Sequence, residues 1–377
     1  MFLFIDAFTA GAISLLGFII LTNPREVNVL GNRLLAFLLF LVAITIFDKG
    51  LIDSNFYKNN QGFTGISDVL LFFIPPTLYL SVGYFVSLEK IFLKKDLKHY
   101  LVPTLLFPIS LFIILNRTEF KLTTLKSFVY TKNGIDLCFI LSIIFYWFLS
   151  YSKLIKHQKT IELFASKTET IDLNWLKYFL FGIAGMGIVF FIEFYFNNPI
   201  VFKYASIGYL IATFTLSYFA LRQSEIFPFD AQERMEIIEI IAEQNPKEQN
   251  LSQKQERFSE TVLLALKNQL LDLMKNEKIY LEENLNLPKL AQKMAISTHD
   301  LSYLLNEGFG KNFFQFIYDY RIIEAKRLLS SEKHDYLNMV GIAFAAGFSS
   351  KTTFYAAFKK ATNQSPSEFQ NELRKQN

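Results

Sequence analysis

Seven apolar stretches of about membrane-span length crowd the first 221 residues and constrain the chain more than any other feature. They run over 2–22, 34–52, 67–87, 100–115, 135–152, 175–196 and 200–221. A helix needs about 20 mostly apolar residues to cross the hydrocarbon core of a bilayer. Of the 377 residues 42 are Phe and only 19% are charged, a balance at odds with an ordinary water-soluble surface. The stretch 100–115 is the shortest and contains Pro103 and Pro108. Pro75-Pro76 falls inside 67–87 and predicts a kink or local unwinding there. The first run lacks a basic start and further runs follow it, so it reads as a span rather than a signal peptide.

Loop charge gives a weak orientation. With the N-terminus outside, cytoplasmic loops carry ten Lys and Arg against seven in outer loops, Lys49 being counted among the latter. That bias follows the positive-inside trend. Asp6, Asp48, Asp68 and Asp136 read as helix-end carboxylates able to reach water. Glu193 sits between Phe191-Ile192 and Phe194-Tyr195 and is the candidate intramembrane signal site, because a carboxylate there is costly to keep.

Composition shifts at residue 222. Net charges over 1–221, 222–277 and 278–377 are +5, −4 and +3. The stretch 230–243 reads as an acidic amphipathic helix with Met235, Ile238 and Ile241 on one side. Asn245-Pro246 and the Gln/Lys/Glu run to Glu256 read as a solvated loop. A second helix starts at Ser259, with Val262, Leu263, Leu266, Leu270, Leu273 and Met274 as its stripe. It either packs on the C-terminal region or pairs with its twin, making a homodimer through 259–275.

The last hundred residues contain two helix–turn–helix patterns. In the first, Leu287, Leu290, Ala291 and Met294 stripe one short helix. Ser297 then caps a second, whose buried face is Leu301, Leu304 and Leu305. The second pattern runs from Asn338 through Ile342, Ala343 and Ala346, breaks at Gly347-Phe348, and restarts at Ser349 or Ser350 with Phe354, Ala357 and Phe358 inward. Between them lies an amphipathic stretch, Asn312 to Ser331, with Phe316, Tyr320, Ile323, Arg327 and Leu328 at helical spacing.

These residues resemble the DNA-binding domain of the AraC/XylS family of bacterial transcription regulators. The matching parts are Leu287-x-x-Leu290-Ala291, Ser297-x-x-x-Leu301-Ser302, Tyr320-Arg321 with Ala325-x-x-Leu328-Leu329, Ile342-Ala343-x-x-x-Gly347-Phe348, Phe354-x-x-x-Phe358-Lys359 and Pro366-Ser367-Glu368-Phe369. They cover roughly a quarter of the chain. Three positions depart from the pattern. Ala295 and Asn363 stand where turn glycines are usual, and Ala356 where Arg is frequent.

The apolar runs, the composition shift and the resemblance together imply an all-α chain: a transmembrane bundle of about seven helices over 1–221, a linker over 222–276, and a double helix–turn–helix domain over 277–377. Its expected place is the bacterial cytoplasmic (inner) membrane, with the C-terminal domain in the cytoplasm, and its expected partners are double-stranded DNA, the lipid bilayer and an unidentified signal. Outward positions of the first reading helix are Thr298, His299, Asp300, Ser302 and Tyr303; those of the second are Ser350, Lys351, Thr352, Thr353 and Tyr355. Lys311, Lys359 and Lys360 are candidate phosphate contacts. Cys138 is the single cysteine, and the four scattered His show no metal-ligand spacing, so neither a cofactor nor an enzyme is expected. The rival reading is a membrane receptor or transporter-like protein whose tail docks other proteins without specific DNA binding.

Overall fold

In the computed structural model the described residues are 2–22, 27–54, 56, 70–88, 91–105, 107, 123–168, 171–196, 199–222, 225–226, 229, 231–243, 257–331 and 337–376. Among them the secondary structure is helical, with one isolated bridge between Ala165 and Asn286. The chain divides into two compact units. One holds 1–156 and 173–226; the other holds 157–172 and 227–377.

The first unit contains α1 (Phe2–Leu21), α2 (Val29–Asp53), α3 (Ile74–Phe85), most of α4 (Thr123–Thr160), α5 (Asn174–Phe196) and α6 (Pro199–Arg222). α1 packs on α2 and α6, α2 on α3, and α5 on α6. Among the described residues three helical segments are long and apolar enough to cross a membrane: Leu3–Leu21, Val29–Ile52 and Leu137–Leu163. The run expected over 100–115 lies largely outside the described residues, as does Asp68; so do the side chains of Asp136 and Glu193.

The helical backbone at 70–71 is interrupted just before Pro75-Pro76, as the expected local unwinding requires. The chain turns at 72–73, and α3 begins immediately after with both prolines in its first turn, where their missing amides and fixed φ cost nothing. The helix is therefore 12 residues long, shorter than the apolar run in the sequence.

This unit exposes large apolar side chains and buries several polar ones within an otherwise apolar interior. Phe4 is 75% exposed, and Phe8, Leu15, Phe18, Ile144, Phe148, Ile211 and Phe214 also face outward. Thr9, Asn32, Thr77, Ser81, Ser150 and Ser206 are buried. Asp6 does not reach water from its helix end. It is 1% exposed and paired with Lys49, itself 9% exposed, with both carboxylate oxygens 3.1 Å from the ammonium. Ser206 Oγ donates to Asp6 as well. Lys49 is thus part of an interior ion pair joining α1, α2 and α6, not an outer-loop cation. The spacing of two helix-end charges cannot reveal that they face each other across the bundle.

The second unit holds α7 (Ala231–Glu243), α8 (Glu260–Asp272), α9 (Leu287–Lys293), α10 (Thr298–Tyr303), α11 (Phe313–Leu329), α12 (Met339–Ala345), α13 (Lys351–Thr362) and α14 (Pro366–Gln376). Wider π turns extend α8 over Leu273–Glu277 and α10 over Leu304–Gly308. Five of these helices start on a side chain that accepts a hydrogen bond from the third helical amide: Asn286, Ser297, Asn312, Asn338 and Ser350. Each satisfies a donor that the helix itself leaves open. Asn312 and Gln315 form a full reciprocal capping box.

Around α11 the core gathers Tyr318, Ile322, Ala325, Leu328 and Leu329 with Ile342, Ala343, Ala346, Phe348, Phe354 and Phe358. The inward face of α11 differs from the expected stripe. Phe316 and Leu328 are buried, but Ile323 is 63% exposed and Arg327 is outward. Nearly every position of α11 is apolar or long, so the packing on two sides chooses the register that periodicity leaves ambiguous. Arg321, fully buried, donates from Nε to Tyr280 O at 2.7 Å and from Nη2 to Glu282 O at 2.9 Å. Glu324 takes a forked bond from Arg327 at 2.8 and 3.0 Å. That bond, more than the nearby Lys278, holds the Glu324 carboxyl below its usual range.

The sequence did not reveal that 157–172 belongs to this unit. Ala165 bridges Asn286, Leu287 N donates to Phe164 O at 2.8 Å, and Ser166 Oγ donates to Leu285 O at 2.5 Å. Arg321 Nη2 reaches Ser166 Oγ at 3.2 Å, and Lys167 pairs with Glu283. His157 and Gln158 bond Ile171 O and Asp172 O, which closes the segment on itself.

α8 packs on its own unit. Leu270 and Met274 are buried, Gln269 Nε2 donates to Met294 O, and Lys267 lies over the Phe309 ring. Val262, Leu264 and Leu271 stay exposed.

Candidate nucleic-acid interface

Two helix pairs carry the expected reading positions: α9 with α10, and α12 with α13. Both turns need left-handed backbone. Ala295 has φ 56°, and Gly347 has φ +87° in the equivalent bend of the second pair. Asn363, ahead of α14, has φ 59°. The two non-glycine substitutions noted in the sequence therefore fall on positions that do demand positive φ. Asn tolerates this; Ala does so at a cost of about 1 kcal/mol or more. Ala295 is exposed, so Ala295→Gly has no packing to lose. It is expected to raise the stability of this unit by up to about 1 kcal/mol after the entropy of glycine is deducted. Denaturant melts of the two proteins check this, and a destabilised glycine variant would count against the strain.

α13 presents an open face. Ser350 caps it, accepting from Thr353 N at 3.1 Å and donating to Thr353 Oγ1 at 3.0 Å. Those two hydroxyls thus work in the cap. Lys351 and Thr352 are exposed, as is Ala356. Tyr355 shares a 3.0 Å hydrogen bond with Ser367 of α14, which ties its hydroxyl to the fold, and the Lys351 ammonium lies 5.3 Å from its ring. Lys359 and Lys360 are exposed in the last turn, and Glu162 is within electrostatic range of Lys360.

The α10 positions are buried or partly covered. Thr298 is 4% and Ser302 8% exposed. Thr298 N donates to Glu236 Oε2 at 3.3 Å. Arg257 bonds His299 Nε2 at 3.1 Å and approaches Asp300 at 3.8 Å, while the Phe258 ring meets Tyr303 edge-on at 5.7 Å. Ser302 lines a tight crevice with Leu163 and Phe313. Lys311 is paired with Asp319 at 2.6 Å. Sequence reasoning missed these partners, and those from Glu236, Arg257 and Phe258 lie 42 or more residues away in the chain.

α7 also turns differently from expectation. Ile237 and Ile240 are its buried residues, whereas Met235 and Ile238 are exposed. In Met235-Glu-Ile-Ile-Glu-Ile-Ile241 two adjacent faces are equally apolar. The partner α10 selects one of them.

α11 has 17 residues, giving about 25 Å at 1.5 Å per residue. That length is somewhat less than one ~34 Å turn of B-DNA.

A family model described as a helix-turn-helix domain matches residues 290–372. The arabinose operon regulatory protein of Escherichia coli (strain K12) is 29% identical over 126 residues, 33% of this chain and 42% of that protein. The C-terminal region is an AraC-type helix–turn–helix domain. The chain spans less than half the length of this curated relative. The chain is also similar to the C-terminal domain of the two-component response regulator yesN from Fusobacterium nucleatum subsp. nucleatum ATCC 25586. There the identity is 25%, covering 29% of this chain and 98% of that one, at a TM-score of 0.24.

Proposed function

We propose that this protein is a membrane-embedded transcription regulator that binds specific double-stranded DNA through its AraC-type domain and couples a membrane or extracellular signal to gene expression. The anchor and sensor lie within 1–221, apart from 157–172, which pack into the second unit; 222–276 is the linker and 277–377 the DNA-binding domain. The observation that carries the reading is α13: a capped helix of 12 residues in a matched AraC-type fold, with Lys351 and Thr352 exposed at its start. A recognition helix reads the major groove from such N-terminal positions. Lys359 and Lys360 supply phosphate affinity at its far end.

The outward apolar surface of the first unit supports placement in a bilayer, since a lipid-facing bundle keeps its small and polar groups inside. The bundle has about seven spans, lies in the bacterial cytoplasmic membrane, and keeps its N-terminus outside and its DNA-binding domain in the cytoplasm. Glu193 remains the candidate signal site. Val262, Leu264 and Leu271 are what α8 has left to offer a homodimer.

Selection of duplexes from a random pool by the full-length protein tests the reading, and a pool that shows no enrichment refutes it. With the selected site in hand, Lys351→Ala is expected to weaken specific binding by about 1–3 kcal/mol if Lys351 bonds a guanine edge. If it touches phosphate alone, affinity falls alike on all sequences and the salt slope becomes shallower.

A further inference from the structure

We propose that the linker is a built-in competitor for DNA: α7 with Arg257 and Phe258 covers the first reading helix, so that only the second is free to engage until the linker leaves. The inference rests on the DNA-binding reading above. Its warrant is the asymmetry between the starts of the two candidate reading helices. Lys351 and Thr352 at the start of α13 face solvent, whereas Thr298 at the start of α10 is buried and its amide is bonded to Glu236. The remaining outward side chains of α10 are each engaged: His299 and Asp300 by Arg257, Tyr303 by Phe258.

The cover is anchored, not merely adjacent. Ile237 and Ile240 of α7 are buried, and Arg234 Nε donates to Phe229 O at 2.8 Å. Phe229 packs edge-on against Phe164 at 5.5 Å. The charge also opposes DNA. Glu233, Glu236 and Glu239 lie on α7, and the Glu236 carboxylate, bonded to the first amide of α10, repels a phosphate backbone approaching that helix start. A base edge cannot be read by a side chain packed against another helix. The first helix–turn–helix therefore reads DNA only after α7 has moved away. The full site then has an apparent affinity reduced by the fraction of time the cover is open.

The test compares the full-length protein with its Ile237→Ala, Phe258→Ala variant on a duplex selected by the unmodified chain; these changes remove a buried anchor of α7 and the ring against Tyr303 without altering charge or a reading position. The parent should protect one groove in footprinting. The variant should extend protection to the adjacent groove and raise affinity about tenfold or more. Equal affinity and equal footprints for parent and variant would overturn the cover while leaving the DNA-binding reading intact. Failure of parent and variant alike to retain any duplex would overturn the two together.

Discussion

Gly347→Ala should destabilise the AraC-type domain by about 2–5 kcal/mol, the sum of a left-handed backbone cost and an overpacking cost. Gly347 has φ +87°, and a Cβ built there would lie 2.7 Å from Tyr280 O, 2.9 Å from Leu281 Cα and 3.1 Å from Arg321 Nε. Two of those atoms are backbone, and the third is the guanidinium nitrogen that bonds Tyr280 O, so none can retreat without breaking the arrangement around the buried Arg321. Gly310 is the internal control. Its φ is +65°, but nothing lies within 4 Å of its Cβ position, so Gly310→Ala should cost only about 1–2 kcal/mol. Hydrogen exchange of the α11 and α13 amides in the full-length protein reads both. Equal losses at the two sites would show that the close approach at Gly347 is not tight.

The other large effect is expected in the first unit. Lys49→Met removes the ammonium that neutralises Asp6 and should cost about 3–5 kcal/mol, the usual penalty for leaving one buried charge unpaired. Pairing it with Asp6→Leu should recover most of the loss, because a buried ion pair replaced by apolar groups is frequently neutral. Thermal unfolding of the detergent-solubilised chain gives the comparison. If the double variant is as unstable as Lys49→Met, the pair is not what joins α1, α2 and α6.

The contrast between these sites shows what was legible in the sequence. Caps were readable: Ser297 and Asn338 start helices where a small polar residue precedes an apolar run, and Ser350 rather than Ser349 takes the last such position. The demand for positive φ was readable too, since the AraC pattern marked positions 295, 347 and 363 before any dihedral was known. Facing was not. In α7 and α11 apolar residues occupy more than one side, so Ile238 and Ile323 could be assigned inward on spacing and yet lie exposed. Lys49 looked like a loop cation because its partner is 43 residues away. The cover over α10 was invisible for the same reason. Glu236 and Thr298 are separated by 62 residues, and acidic residues in a linker ordinarily signify only solvation. Local chemistry writes itself into adjacent residues, whereas long-range pairing depends on which surfaces the fold brings together.

The double entry of the chain into the second unit bears on how that unit could ever be detached. Phe164, Ser166 and Lys167 supply hydrogen bonds, a bridge and an ion pair to the 282–287 strip and to Arg321, yet they are separated in sequence from the rest of the domain by α5 and α6. A protease cutting anywhere between 244 and 256 would nick the polypeptide without liberating a complete module, and a recombinant fragment beginning after that point would lack one of its own walls. Release of an intact second unit by a single cut is thereby disfavoured by connectivity alone.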